Sequence, residues 1–415
     1  MQTQLFAGLR QDISFSLRQL RRDRVFTTVA VVTLALGIGA TTTLFTVLDA
    51  VVLRPLPFPD PDRLIDIATT WQEEPGAISV GNYLVIKERA RVFEAIAARS
   101  GATFNLTGGG DPERVQGAHV TASYFQVFGM SPEFGRFFTA DEDAPGKARV
   151  AVLSHGLFSR RFGSDPGVIG RTIHLSGLAH EVVGVMPEAF QLPEDTIEVW
   201  TPIAFAPSSR SFDAHYLSVT ARLRKDTTEA RLGAERQALT LAVMEAAPRD
   251  NSGRVLVTSR LLDRIVGDYR QRLLVLLGAV TLVFLIACVN VASLLLARGA
   301  GRHREIALRA ALGANRFRIA RQLMTEAFLL CLLGTAAGLI LAGIALPIFM
   351  ARGPADLPRL AEAGLNPSAL LVASALAFAA TLLAGLAPAL RESRAGLAEA
   401  RDRPRAGRSG AFAIP

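Results

Sequence analysis

Four long apolar runs alternate with polar segments along this chain. They occupy residues 25–48, 273–297, 327–351 and 368–390, and none of them contains a charged side chain. A helix rises about 1.5 Å per residue and needs about 20 apolar residues to cross roughly 30 Å of hydrocarbon. The pattern therefore predicts four transmembrane α-helices. We expect the first to be an uncleaved span, because its apolar part is too long for a secretory signal.

A different pattern fills the stretch between the first and second runs. Short segments rich in apolar and β-branched residues predict strands, and two of these form a hairpin around Ser176 and Gly177. The strands are predicted at residues 149–153, 172–175, 180–185 and 216–223, and the helices at 154–161 and about 228–246. The sequence thus predicts a large α+β domain of two compact lobes.

An amphipathic pattern precedes the first apolar run. Apolar residues recur there at helical spacing, and charged or polar residues occupy the other faces. The apolar set is Leu5, Leu9, Ile13, Leu17 and Leu20, and the polar set is Arg10, Asp12, Ser14, Arg18 and Arg21. This predicts a helix on the cytoplasmic membrane surface whose polar side chains point away from the apolar face.

Charge is distributed unevenly along the chain, whose net charge is +8. Residues 55–265 carry 22 Lys and Arg against 26 Asp and Glu, whereas the remainder carries 23 against 11. A nucleic-acid-binding protein would concentrate its basic residues on the folded domain. Nucleic acid is therefore not an expected partner, and the basic residues beside the apolar runs indicate membrane orientation instead.

Positively charged segments near membrane helices remain in the cytoplasm. Arginines are concentrated before the first run, between the second and third, and after the fourth. We therefore expect both termini in the cytoplasm and residues 55–265 outside. The predicted segments are a cytoplasmic amphipathic helix at 1–24, transmembrane helices at 25–53, 269–298, 323–351 and 368–390, an outer α+β domain at 54–268, a cytoplasmic loop at 299–322, a short outer loop at 352–367 and a basic cytoplasmic tail at 391–415.

The loop between the second and third runs is the most informative polar segment. Residues 302–313 have the sequence RHREIALRAALG, a series of good helix formers that Gly313 and Asn315 then stop. A short rigid helix between two membrane helices can act as a lever, because a force on it tilts both of them. An ordinary basic interfacial loop is the alternative interpretation.

The pattern R-x-R-E-I-A-L-R-A-A-L-G-A, followed by Arg321, Gln322 and Glu326, resembles the coupling loop of MacB/FtsX-type ABC transporter permeases. Residues 12–22 and 34–42 resemble the N-terminal helix and first span of that family. Residues 162–172 and 183–187 resemble its periplasmic core domain. The likeness extends to acidobacterial-type permeases that carry this unit twice, so we expect either a single-unit permease or part of a duplicated one.

The resemblance implies a function and a set of partners in the bacterial inner membrane. Such a permease couples ATP hydrolysis by a separate ABC ATPase subunit to movement of its periplasmic domain, in export or efflux of an unknown substrate. A second permease copy, as homodimer or heterodimer, the lipid bilayer and a periplasmic adaptor are further expected partners. No Walker A sequence occurs, so no cofactor is expected here and ATP would bind the separate subunit. The residues expected to contact the ATPase are Arg304, Glu305, Leu308, Arg309, Leu312 and Gly313.

Small residues inside the apolar runs predict close helix packing. Gly334 and Gly338 form a G-x-x-x-G pattern, which lets two helix backbones approach each other. Gly37-Ile-Gly39 also favours membrane packing over nucleotide binding, because no βαβ unit surrounds it. The alternative is that Gly and Ala are merely common in membrane helices. Asp49, at the outer end of the first run, is interpreted as an interfacial residue in preference to a proton relay.

Catalytic and metal-binding signals are weak. Ser154 precedes His155, but adjacent helical residues point apart and no G-x-S-x-G nucleophile elbow occurs. The histidines show no metal-ligand spacing. Cys288 and Cys331 fall inside apolar runs, so they provide no disulfide for the large domain. We expect no enzyme activity, no catalytic residues and no metal site.

Two other functions remain open from the sequence. A membrane-anchored regulator would activate a periplasmic partner or sense a ligand without transport. An autonomous membrane enzyme would be active without any ATPase partner.

Overall fold

Two compact units make up the chain. The computed structural model describes residues 2–72, 74–108, 110–190, 192, 196–300, 316–354 and 357–383. The helical unit comprises Met1–Leu53 and Asp268–Pro415, and the sheet unit comprises Arg54–Gly267. The sheet unit is therefore inserted in the chain between two long helices of the helical unit.

The helices of the described residues differ greatly in length. In chain order they are α1 (Gln2–Arg22), α2 (Arg24–Leu48), α3 (Val80–Arg89), α4 (Tyr124–Phe128), α5 (His155–Phe162), α6 (Glu229–Ala246), α7 (Leu261–Val266), α8 (Tyr269–Ala300), α9 (Arg316–Arg352) and α10 (Pro367–Leu383). Three segments are long and apolar enough to cross a membrane, namely Arg24–Leu53, Tyr269–Arg298 and Met324–Arg352. The helix α10 is apolar but shorter, and the end of the fourth predicted run lies outside the described residues.

The helix α2 packs against both α8 and α9. Leu34 and Ile38 of α2 are completely buried in one cluster with Cys288 of α8 and Leu330 of α9. The opposite face of α8 carries exposed apolar side chains, among them Val275, Leu282 and Ile286. A helix with apolar side chains both toward its neighbours and outward suits a hydrocarbon environment.

The N-terminal amphipathic helix is present as α1, but one of its charged residues lies differently from the prediction. We expected Asp12 to point away from the packed face. Asp12 is instead only 6% exposed, and its carboxylate accepts a 2.7 Å hydrogen bond from Nε of Arg321 in α9. An ion pair across the helix contact explains why this carboxylate is buried, a position that helical spacing alone does not reveal.

The described residues of the sheet unit contain twelve strands, which join in a single mixed sheet. They are β1 (Leu64–Trp71), β2 (Glu74–Gly76), β3 (Ile78–Ser79), β4 (Phe93–Thr107), β5 (Glu113–Val120), β6 (Phe134–Gly135), β7 (Val150–Leu153), β8 (Thr172–Leu175), β9 (Leu178–Val185), β10 (Val199–Pro202), β11 (His215–Leu223) and β12 (Leu256–Arg260). The main order is β12-β1-β11-β4-β5-β10-β7-β9-β6, with β2 beside β1, β3 beside β11, and β8 between β4 and β9. The pairs β5–β10 and β7–β9 are parallel.

The strands and helices predicted in this unit are confirmed, and capping residues explain their bounds. The hydroxyl of Ser154 accepts a hydrogen bond from the backbone N–H of Leu157 at the start of α5. Thr228 caps α6 in the same way, as short polar side chains do at helix N-termini. Gly163 ends α5 in the left-handed conformation, with φ of 61°, and the chain turns from there into β8.

Three clusters of buried apolar side chains hold the sheet unit together. One surrounds Tyr83 beside α3, the second contains Phe125 and Trp200 near α4, and the third contains Leu153 and Phe158 near α5. The clusters share one continuous sheet. The division of this unit into two lobes stays a prediction.

Candidate functional site

The six residues expected to contact the ATPase, Arg304, Glu305, Leu308, Arg309, Leu312 and Gly313, all lie within residues 301–315, outside the described part of the chain. The helices on either side are described. The helix α8 ends at Ala300 after 32 residues, and α9 starts at Arg316 and continues for 37 residues. At about 1.5 Å per residue these helices are roughly 48 Å and 55 Å long, which exceeds a hydrocarbon core of about 30 Å. Both are therefore longer than a single membrane crossing requires.

The G-x-x-x-G glycines of α9 lie directly against α2. A Cβ atom added at Gly334 would lie 2.6 Å from Cβ of Leu34, and one added at Gly338 would lie 3.1 Å from the backbone nitrogen of Gly39. On the other side of α2, a Cβ at Gly37 would lie 3.3 Å from Phe284 of α8. Both neighbouring helices thus approach α2 at its glycines.

A group of charged side chains joins the two helices that flank residues 301–315, close to the end of α8 and about three turns into α9. Arg298 of α8 donates a 2.5 Å hydrogen bond to Glu326 of α9 and another bond to Asp23, between α1 and α2. Glu326 is only 3% exposed. From the sequence, Arg298 is only one of several arginines that follow the second apolar run, and Glu326 enters only through the family pattern. The available signal for this ion pair is the position of Glu326, a single Glu directly before an apolar run, because a buried carboxylate needs a partner.

A π-helical turn, Asp49–Leu53, ends the first membrane helix immediately before the sheet unit begins. The carboxylate of Asp49 accepts a 2.8 Å hydrogen bond from the side-chain amide of Asn366. Asn366 also accepts a hydrogen bond from the backbone N–H of Ala369, in the first turn of α10. Asp49 therefore connects the end of α2 to the start of α10, and π-helical turns are frequent at functional positions.

The Ser154–His155 pair has a structural function. Ser154 caps α5, while Nδ1 of His155 lies 2.8 Å from Glu133, and its Nε2 lies 3.3 Å from the hydroxyl of Ser159. Ser159 lies one turn further along the same helix, and its hydroxyl also bonds Ser164. These contacts fasten α5 to the neighbouring segments, and among the described contacts no backbone donor is directed at Ser159.

No group of three or more His, Cys, Asp or Glu side chains in the described residues could hold a metal ion. His119 lies 2.8 Å from the hydroxyl of Thr201, and burial lowers the pKa of both His119 and His180. These two side chains are therefore neutral components of the domain at neutral pH.

A small cavity of about 50 Å³ lies on the sheet unit beside Asp66, Arg99 and Arg264. Burial raises the pKa of Asp66 to about 6, although Arg264 and Arg99 act in the opposite direction. Arg264 lies 3.7 Å from the carboxylate and is itself half exposed. Drug-sized ligands need pockets of roughly 300 Å³ or more, so the volume suits ordered water better than an organic ligand.

The raised pKa of Asp66 makes the stability of the sheet unit pH-dependent. The folded unit holds the proton on Asp66 more tightly than the unfolded chain does. Protonated Asp66 therefore stabilises the fold fully below the unfolded pKa of 3.8, and this stabilisation is lost as the pH rises through about 6. We expect Asp66→Asn to abolish this loss and to raise the free energy of unfolding at pH 7 by on the order of 2–3 kcal/mol.

Urea unfolding of residues 54–267 at pH 4 and pH 7 measures this difference. Replacing the exposed Asp141 with Asn is the matched control, and this variant should keep the wild-type pH dependence. An Asp66→Asn variant whose stability still falls from pH 4 to pH 7 as in the wild type would contradict this account.

Comparison with known protein families gives two adjoining matches. The profile of the MacB-like periplasmic core domain matches residues 27–239, and that of the FtsX-like permease C-terminal domain matches residues 277–396. The first match covers most of α2 and most of the sheet unit, and the second covers most of α8 together with α9 and α10.

Curated relatives include proteins named macrolide export ATP-binding/permease protein MacB. The protein from Shigella boydii serotype 4 is 29% identical over 285 residues, which are 66% of this chain and 41% of that protein. The protein from Escherichia coli K12 is 28% identical over 285 residues, with the same coverage. The protein from Burkholderia thailandensis is 31% identical over 230 residues, which are 54% of this chain and 34% of that protein. The chain thus spans about two fifths of the length of these relatives, or less.

Solved structures with some likeness cover about half of the chain. The periplasmic region of MacB from Actinobacillus actinomycetemcomitans has a TM-score of 0.39 and 13% identity, and covers 50% of this chain and 92% of that one. The extracellular domain of the ABC-type transporter YknZ from Gram-positive bacteria has a TM-score of 0.36 and 13% identity, and covers 47% of this chain and 99% of that one.

Proposed function

Because the chain belongs to the family of ABC transporter permeases with a MacB-like periplasmic core domain and an FtsX-like permease domain, we propose that it transmits force across the membrane. A separate ABC ATPase subunit binds residues 301–315, and ATP hydrolysis there moves the sheet unit on the other side. The sheet unit is the extracytoplasmic domain of this permease. The movement drives export of a substrate.

One observation carries this proposal, namely that unbroken helices occupy the chain between the sheet unit and the ends of the membrane-spanning segments. The helix α8 runs without a break from Tyr269, two residues after the sheet unit ends, to Ala300, where the loop begins. The segment Arg24–Leu53 likewise continues up to the first residue of the sheet unit. A continuous helix transmits tilt and translation, whereas a flexible linker would absorb them.

The proposed topology has four membrane spans, with α10 and residues 384–390 forming the fourth. Both termini then lie in the cytoplasm, which agrees with the arginines at each cytoplasmic segment. This chain has one coupling loop and so offers only one contact to an ATPase subunit. A second permease copy, which pairs with this chain, supplies the second contact. We also propose that the chain has no enzyme activity or cofactor of its own, and that ATP binds the separate ATPase subunit.

Reconstitution with its co-purified ATPase tests the proposal. Proteoliposomes that contain the complex should transport a drug, peptide or lipoprotein in an ATP-dependent manner, and a complex whose ATPase is inactivated should not. Activation of a periplasmic hydrolase without any export would instead support the second function, a membrane-anchored regulator. Activity of the chain purified alone would contradict both.

A further inference from the structure

A single guanidinium group connects three helical elements of the helical unit. Arg298, near the end of α8, bonds the carboxylates of Glu326 in α9 and of Asp23 at the junction of α1 and α2. Its guanidinium carbon also lies 4.6 Å from the ring centre of Phe26 in α2. An arginine can hold two carboxylates at once because its planar group presents donors in several fixed directions.

A second ion pair fastens α1 to α9 at another position. Arg321, five residues after the start of α9, donates from Nε to the carboxylate of Asp12 at 2.7 Å. The side chain of Asp12 is 8% exposed and that of Arg321 is 23% exposed, so water screens this pair only weakly. The helix α1 is therefore attached along its length as well as at its end.

The junction between α1 and α2 is itself stiff. The hydroxyl of Thr27 lies 2.8 Å from the carbonyl oxygen of Leu20 and 3.0 Å from that of Asp23. The backbone N–H of Thr27 also donates to the carbonyl of Asp23. These bonds span the one residue that separates the two helices, so α1 is held to α2 by more than a flexible hinge.

We propose that Asp12, Asp23, Arg298, Arg321 and Glu326 form a charge clasp that makes α1 part of the force-transmitting element. The clasp holds both helices that flank residues 301–315, through Arg298, three residues before this segment, and through Arg321, six residues after it. A displacement of the loop therefore moves α1 and α2 together with α8 and α9. This inference rests on the proposed function and assigns positioning roles to five residues outside the loop.

The charge and burial of these groups make the clasp selective. Replacing Asp12 with arginine places two positive charges side by side where water screens them only weakly, which is strongly unfavourable. A pair of opposite charges at the same place remains favourable in either orientation, because Coulomb attraction does not depend on which helix carries which sign. Exchanging the charges of Asp12 and Arg321 should therefore preserve the ion pair, whereas reversing the charge of only one of them should destroy it.

The test uses the full chain in complex with its ATPase, labelled with a fluorophore at Ser252→Cys. Ser252 is an exposed residue of the sheet unit, whereas the natural thiols Cys288 and Cys331 are buried. The signal is the ATP-dependent change in fluorescence. The variants are Asp12→Arg, the double exchange Asp12→Arg with Arg321→Asp, and Ser14→Arg, which adds an arginine on the exposed face of the same helix.

We expect Asp12→Arg to lower the ATP-dependent signal about tenfold or more. The double exchange should restore most of this signal, and Ser14→Arg should leave it unchanged. Retention of the full signal by Asp12→Arg overturns the clasp, as does a folded double exchange that stays as impaired as the single variant. If Asp12→Arg does not fold, the double exchange alone decides. A wild-type complex with no ATP-dependent signal would overturn the proposed function itself.

Discussion

Replacing Gly39 with leucine should destabilise the helical unit by about 2–4 kcal/mol, because no space exists for a side chain between α2 and α9. A Cβ atom at this position would lie 2.9 Å from the carbonyl oxygen of Gly338 and 3.3 Å from Cβ of Leu341. The nearest obstacle is backbone, so it cannot rotate away. The two helices would have to separate, which exposes the small-residue contact that holds them in the absence of a hydrophobic driving force.

Thermal unfolding of the detergent-solubilised chain measures this effect as a lower Tm. The control is Gly278→Leu in α8, where a Cβ atom would meet no heavy atom within 4 Å. This control makes the same substitution in a membrane helix without a close neighbour, and it should leave Tm near the wild-type value. Equal Tm values for the two variants would refute the close approach of α2 and α9.

Exchanging the charges of Glu305 and Arg309 should uncouple the ATPase. These residues are four positions apart, so Glu305→Arg with Arg309→Glu keeps an attractive i, i+4 pair within the predicted loop helix. The number of positive charges in the loop stays the same, which preserves the orientation in the membrane. Only the pattern of charge presented to the ATPase is reversed, and repulsive contacts at such an interface cost several kcal/mol.

We expect the ATPase to co-purify with this double variant at about one tenth of the wild-type yield or less. Insertion into the membrane should be unchanged, and extraction of the chain from washed membranes checks this. Exchanging Arg391 and Glu392 in the predicted tail is a matched control, which should keep the ATPase bound. Undiminished association in the Glu305 and Arg309 variant would count heavily against the proposed lever.

Local sequence patterns were sufficient for much of the secondary structure. The helices predicted at 154–161 and about 228–246 are present, and each begins immediately after a short polar side chain, Ser154 or Thr228, that caps its first backbone N–H groups. The apolar runs likewise predicted long helices, because length and lack of charge are local properties. The order of the twelve strands was not accessible in this way, since β10 pairs with β5 from about 80 residues earlier.

The charge clasp shows a second limit of sequence reasoning. Helical spacing placed Asp12 among the solvent-facing residues of α1, but a distant arginine, Arg321, binds it at the helix contact. Pairing between residues about 300 positions apart leaves no periodic signal in one sequence. The glycines of α9 were easier to recognise, because a G-x-x-x-G pattern lies within a single helix.

The central claim is that residues 301–315 and the sheet unit lie on opposite sides of one membrane. Labelling of intact cells with a membrane-impermeant maleimide tests this most directly, in chains that carry either Ala310→Cys or Ser252→Cys. Permeabilised cells provide the control, in which both positions should react. We predict that in intact cells Ser252→Cys is labelled and Ala310→Cys is protected. Labelling of Ala310→Cys together with protection of Ser252→Cys would show the chain inserted the other way and would contradict the proposed mechanism.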